Sequence, residues 1–102
     1  MQDFFDLFKY DNNLIVAKYS SKDKYNYITL KLNYKKDGFS WVRGILKRRK
    51  YIYFKDIDAL ITSNQTINFT SKGKYYMFKF PNNTQAVIFY KGLNELRSRS
   101  PL

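Results

Sequence analysis

The strongest candidate for chemistry in this sequence is a cluster of cations near its middle. Its five members fall within eight positions: Arg43, Lys47, Arg48, Arg49 and Lys50. Three of the five arginines of the chain lie in this segment. A guanidinium group binds a phosphate or a carboxylate through two parallel hydrogen bonds. The cluster therefore predicts contact with an anionic partner. The alternative is a solvated loop that keeps an edge strand from aggregating.

Tyrosines interleaved with cations form a second candidate surface. In a strand, alternation places Tyr25, Tyr27 and Lys31 on one face. The same interleaving recurs twice, as Tyr51, Tyr53 and Lys55 and as Tyr75, Met77 and Lys79. Binders of single-stranded nucleic acids stack bases on such aromatics and neutralise phosphates with such cations. The alternative is cross-strand packing of tyrosine with tyrosine or lysine, which stabilises any sheet.

Catalytic chemistry has little support in the composition. The chain contains no histidine and no cysteine, so it lacks the commonest general base and the thiol nucleophile. Asp56 and Asp58 would share one face of a regular strand and could hold a metal ion. We expect them instead to lie at a solvated edge or to pair with Lys55 or Lys50. The sequence predicts a non-enzyme without a cofactor or metal.

The charge balance points to an anionic partner. Nineteen Lys and Arg residues stand against eight Asp and Glu residues, which gives a formal net charge of +11. An AT-rich genome would enrich lysine, but it would enrich glutamate as well, and Glu95 is the sole glutamate. Codon bias therefore does not explain the missing acidic residues. An excess of this size attracts polyanions.

Length and periodicity predict one domain over residues 1–102. Residues 1–13 read as a short amphipathic helix or an edge segment, residues 14–80 as β-strands and residues 83–98 as a helix. The helix is indicated by apolar residues at helical spacing, namely Ala86, Phe89, Tyr90, Leu93 and Leu96. The lack of cysteine fits a reducing compartment, and we expect a cytoplasmic protein.

Two hairpin turns stand out within the strand region. Lys35–Gly38 and Ser71–Lys74 each contain the glycine that a tight turn favours. The strand that follows the first turn is predicted over residues 39–46, with a bulge or bend at Gly44. Trp41 is in phase with Phe39 and Ile45, so we expect it to be in the core or half-buried. Residues 47–50 interrupt the apolar pattern and are expected to form a loop beside the sheet.

This order of elements resembles a known fold. The runs YIYFKDIDALI and TINFTSKGKYYMFKF, followed by NNTQAVIFYKGLNEL, resemble the second half of a bacterial pleckstrin-homology-like domain. The resemblance implies a mainly β fold, in which a bent antiparallel sheet of about seven strands forms a partly open barrel capped by one C-terminal amphipathic helix. It also implies a binding scaffold rather than an enzyme, and it transfers no site residues.

A competing resemblance is weaker. The segment from Lys72 to Phe78 is similar to the basic–glycine–aromatic core of an RNA-recognition motif, but Lys79 stands where that motif needs an aromatic residue. The motif also requires a helix between its first two strands, and residues 25–62 show only strand alternation.

Three kinds of partner remain open. A nucleic acid is preferred, and the alternative is an acidic protein met by a small regulator or inhibitor, as in a phage or mobile element. A membrane surface ranks third, because Asp3 and Asp6 would be repelled by anionic lipids even if Phe4 and Phe5 inserted. The sequence leaves the oligomeric state open.

Overall fold

Seven antiparallel strands and a C-terminal helix make up most of the computed structural model, which describes residues 2–9, 14–21 and 24–98. The elements are α1 (Gln2–Asp6), β1 (Leu14–Ser21), β2 (Lys24–Leu32), β3 (Gly38–Arg43), β4 (Arg48–Tyr53), a 3₁₀ turn (Phe54–Asp56), β5 (Ile57–Ser63), β6 (Thr66–Ser71), β7 (Lys74–Lys79) and α2 (Asn83–Ser98). The predicted N-terminal segment is thus helical over residues 2–6, and residues 1 and 10–13 lie outside the described residues.

The strands form one curled sheet with the order β4-β3-β2-β1-β7-β6-β5. β1 joins the two halves, because it pairs with β2 along most of its length and with β7 at Ala17 and Lys18. β4 and β5 end the sheet, which leaves a half-barrel rather than a closed barrel. The predicted mainly β architecture with a single C-terminal cap is confirmed.

The inner face of the sheet carries a core dominated by aromatic rings. Phe39 is fully buried and its ring centroid lies 5.5 Å from that of Phe89 and 6.1 Å from that of Phe78. Trp41, predicted to be in the core or half-buried, is 1% exposed. Alternate residues of each strand supply these side chains, because successive side chains of a strand point to opposite faces.

Helix α2 closes the open end of the half-barrel. The Asn82 Oδ1 accepts a hydrogen bond of 2.8 Å from the Gln85 amide, which caps the N-terminus of the helix. Ala86, Phe89 and Leu93 are fully buried against the sheet. The periodicity of the sequence was therefore a reliable guide to the buried stripe of this helix.

Gly92 has a packing role that the sequence did not reveal. A Cβ atom at this position would overlap the side chain of Phe4, which packs over the helix from α1. Gly92→Ala should therefore destabilise the domain by about 1–3 kcal/mol through overpacking. This loss exceeds the gain of roughly 1 kcal/mol in helix propensity. Denaturant unfolding would measure the change, and Lys91→Ala, at an exposed neighbouring position, should alter stability by no more than about 0.5 kcal/mol. A Gly92→Ala variant more stable than the natural chain would contradict this packing.

Several local predictions were wrong. β3 ends at Arg43, so Gly44 lies in a turn rather than in a strand, and Ile45 is 99% exposed rather than in phase with the core. Asp56 and Asp58 do not share a strand face, because Asp56 belongs to the 3₁₀ turn and Asp58 to β5. Phe4, considered for membrane insertion, is buried in the core.

Candidate functional site

The predicted basic cluster forms a β-hairpin rather than a loop. The chain reverses over residues 44–47, where Gly44 has a φ of 76° and Lys47 a φ of 53°. The Lys47 amide donates a hydrogen bond of 3.1 Å to the Gly44 carbonyl. The turn is complete at Lys47, so the next three residues are free to pair with β3 and begin β4. The sequence reading failed here because it treated a run of cations as incompatible with a strand, whereas an edge strand tolerates it.

The hairpin register divides the cluster between the two faces of the sheet. Arg43 pairs with Arg48, and Lys50 pairs with Trp41, so these three cations belong to the inner side. Arg49 pairs with Val42 and belongs to the outer side. Side chains of directly opposed residues lie on the same face of a sheet. The cluster, which spans only eight positions of the sequence, therefore contributes to two different surfaces.

Lys18 joins the cations of the inner side, and sequence analysis missed it. Its pairing with the core residue Phe78 places it on the inner face of β1. Burial, and secondarily the positive charge of Arg43, lowers the pKa of Lys18 below its ordinary value. The ion pairs Lys9–Asp6 and Lys72–Asp56, formed within the described part of the chain, include none of these cations. An anion near Lys18 and Arg43 would relieve their mutual repulsion. The sequence did contain a signal for Lys18: it stands two and four positions after the apolar Val16 and Leu14, and alternate residues of a strand share a face.

The outer face brings one member of the basic cluster, Arg49, together with part of the predicted tyrosine surface. Lys31 pairs with Ser40, and Ser40 pairs with Tyr51, so one row crosses three strands. Arg49 lies beside this row and its Nη1 donates a hydrogen bond of 3.0 Å to the Ser40 Oγ. Tyr27, further along β2, is 71% exposed. We call this surface, made of Tyr25, Tyr27, Lys31, Arg49 and Tyr51, the tyrosine–cation face.

The tyrosines of this face are held in place by one another. The Tyr25 ring centroid lies 5.3 Å from that of Tyr19 on β1 and 5.4 Å from that of Tyr27. A side-chain hydrogen bond with Tyr25 raises the pKa of Tyr27 above its ordinary value. Tyr19 was not identified from the sequence, although it pairs with Tyr25 across β1 and β2. We call the three contacting residues Tyr19, Tyr25 and Tyr27 the tyrosine ladder. The ladder is ordered before any partner arrives.

The remaining predicted groups do not form sites of their own. Tyr53 stacks on Tyr51 with a centroid distance of 6.4 Å, but Lys55 lies beyond the strand in the 3₁₀ turn. Tyr75 donates a hydrogen bond of 2.9 Å to the Asn68 Oδ1. Asp56 pairs with Lys72 at 3.8 Å rather than with Lys55 or Lys50. Among the described residues, no three acidic side chains come close enough to hold a metal ion.

Comparison with known proteins places the fold. No protein-family model matches the chain, and a search of the curated proteins finds no match. Among solved structures, the chain is similar to Inner Membrane Complex Sub-compartment Protein 3 from Toxoplasma gondii, with a TM-score of 0.78. The domain has a pleckstrin-homology-like fold. The match covers 97% of this chain and 86% of that chain at 16% sequence identity, so it shows the fold alone. Neither helix, over the residues that the structure describes, is long and apolar enough to cross a membrane.

Proposed function

We propose that this domain is a non-catalytic module that binds single-stranded nucleic acid on its tyrosine–cation face. The observation that carries the proposal is the alignment of exposed tyrosines on β2 and β4 with Lys31 and Arg49 on one face of one sheet. Bases stack on aromatic rings without regard to sequence, and the cations neutralise the phosphates. The net charge of +11 would draw the strand to the domain.

The cations of the inner side of the sheet extend the basic surface around the β3–β4 hairpin. We call them the inner cations, namely Lys18, Arg43, Arg48 and Lys50. Arg43 and Arg48 are exposed at the end of the hairpin, and Lys47 lies in the turn between them. A nucleic acid on the outer face could direct its backbone past this turn. We include two further points in this proposal. The domain is of the bacterial type of pleckstrin-homology-like domain, and it acts in the cytoplasm.

A salt titration tests this function. A labelled oligonucleotide of mixed sequence should bind at roughly 50 mM salt and weaken by several hundredfold or more at roughly 200 mM, because phosphate neutralisation releases counterions. The logarithm of the binding constant falls with the logarithm of salt concentration, and Lys31→Gln and Arg49→Gln should each reduce the steepness of this negative slope by about one. Fluorescence anisotropy measures both quantities.

The matched control for these variants is Lys91→Gln, which removes one positive charge from the exposed side of α2. It should leave the slope nearly unchanged. Absence of binding at low salt would reject the nucleic-acid proposal.

An acidic protein is the second candidate partner, and the position of β4 favours it. β4 ends the sheet, so one side of its backbone is free to pair with an added strand. Arg48 and Lys50 on one face and Arg49 on the other would attract an acidic extended segment. A second copy of this chain fits poorly there, because two β4 strands side by side would bring their cations together. In that case this domain would act as a small regulator or inhibitor, as encoded by a phage or a mobile element, and its target would be the acidic protein.

A further inference from the structure

A slot lies on the outer face where the two halves of the sheet meet. It has a volume of about 420 Å³, within the range of pockets that hold small ligands. Ala17 pairs with Tyr27 on one side and with Lys79 on the other, so one row crosses β2, β1 and β7. Since Ala17 has a small side chain between these two large ones, it forms the floor of the slot.

The walls of the slot suit a flat, unsaturated ring. Tyr25 and Tyr27 on β2 line one side, Tyr19 lies on β1 two residues from Ala17, and Lys79 and Pro81 lie on the side of β7. The tyrosine wall is part of the ordered ladder, so its rings lose little further freedom when a ligand stacks on them. Aromatic rings prefer offset or edge-on neighbours, which a base inserted beside Tyr27 would provide.

The charges around the slot favour a ligand that carries phosphate. None of the described residues lining the slot is acidic, and the exposed Lys79 stands at its rim. A second groove of about 850 Å³ continues from it past Asn64, Asn82 and Asn83. The two grooves share Tyr19, Gln65, Lys79 and Pro81. Asparagine side chains can donate and accept hydrogen bonds at base edges, so a strand could continue from the slot into this groove.

We infer that the slot above Ala17 holds one unpaired base of the bound nucleic acid, stacked beside Tyr27 with its phosphate near Lys79. This inference rests on the proposed function and deepens it. A duplex would bind poorly at the slot, since its bases are already stacked and paired. The domain should therefore prefer single strands to duplexes of equal charge.

The test compares oligothymidylate with an abasic strand of the same length, roughly 12 nucleotides, within the site sizes of single-strand binders. Both carry the same phosphates, so the difference in affinity reports the bases alone. The natural chain should bind oligothymidylate roughly tenfold or more tightly than the abasic strand. Ala17→Leu fills the slot from its floor and should lower the preference for oligothymidylate by the contribution of one stacked base, about fivefold or more, with abasic binding unchanged.

Two further variants keep the test decisive. Val42→Leu enlarges an outer-face residue of β3 that does not line the slot and should retain the preference for bases. Tyr27→Ala removes, at an exposed position, a ring that belongs both to the slot and to the tyrosine–cation face. It should lower the base preference at least as much as Ala17→Leu, and a base preference retained in Tyr27→Ala would overturn the slot even if Ala17→Leu folds poorly.

The outcomes separate this inference from the proposed function. A base preference that Ala17→Leu leaves undiminished would overturn the base slot and leave the nucleic-acid proposal standing. Equal affinity for the two strands would overturn the base slot together with base stacking on the tyrosine–cation face, and would leave phosphate contacts alone. Failure of either strand to bind would overturn both. A proline-rich peptide that binds the natural chain but not Ala17→Leu, while oligothymidylate binds both equally, would assign the slot to a protein ligand instead.

Discussion

Replacing Arg48 and Arg49 together by glutamate is expected to weaken oligonucleotide binding by at least 100-fold at moderate salt. Each hydrogen bond to a charged group contributes about 1.5–3 kcal/mol, and the new carboxylates also repel phosphates. The two arginines occupy opposite faces of the edge strand β4, so the substitution removes a cation from the tyrosine–cation face and another from the inner cations. Both are exposed. Arg48→Glu should change the free energy of unfolding by no more than about 0.5 kcal/mol, whereas Arg49→Glu also removes the hydrogen bond to the buried Ser40 Oγ and should cost about 1–3 kcal/mol.

Single variants and a charge-matched control sharpen this prediction. Lys55→Glu with Lys91→Glu makes the same change in net charge at exposed positions in the 3₁₀ turn and on α2. It should weaken binding much less, because only the long-range attraction is lost. Of the single variants, Arg49→Glu should cost more affinity than Arg48→Glu, since Arg49 shares its face with Lys31 and Tyr51. Equal losses in the double variant and its control would mean that net charge alone drives binding.

The largest stability effect is expected at Phe89. Phe89→Ala should lower the free energy of unfolding by about 3–5 kcal/mol, a large part of the total for a small domain. Its fully buried ring has centroid distances of 4.9 Å to Phe80, 5.3 Å to Phe4 and 5.5 Å to Phe39. The side chain thus joins α1, α2 and the sheet, and an alanine would leave a cavity that these elements cannot all close. Denaturant unfolding followed by circular dichroism measures the loss.

A truncated chain tests the same contact more severely. A chain that ends at Pro81 lacks the whole of α2 and should not fold, because Phe4, Phe39 and Phe80 would face water. The Phe89→Ala variant has its own control in Lys91→Ala, on the solvent side of the same helix. A stable, β-rich truncated chain would show that the half-barrel does not need its cap.

Local pattern was enough to predict the mainly β fold and its helix. Ile67 and Phe69 in β6, and Tyr76 and Phe78 in β7, each stand two positions apart, and all four are buried on one face of the sheet. The change to helical spacing after Pro81 located α2. These features depend on residues two to four positions apart, so a short stretch of sequence is enough to predict them.

Strand boundaries were harder, and the basic cluster shows why. Arg48, Arg49 and Lys50 have no apolar alternation, so nothing in their own pattern marks them as a strand. Their pairing with β3 depends on the turn at Gly44 and Lys47, whose positive φ angles bring the chain back beside itself. A hairpin backbone can align exposed cations at a sheet edge because their side chains remain in water.

The sequence alone predicts the residue types of the candidate site: a basic cluster, tyrosines interleaved with cations and an excess of positive charge. Which of these residues share a surface depends on how the strands pair. Arg49 joins Lys31 and Tyr51 through the β2–β3–β4 register, and Lys18 meets Arg43 across β2. Ala17 opens a slot because β1 pairs with β7, which lies about sixty residues later in the chain. Side-chain alternation gives each strand two faces, but the pairing of distant strands, fixed by burial of the shared core, selects which faces meet.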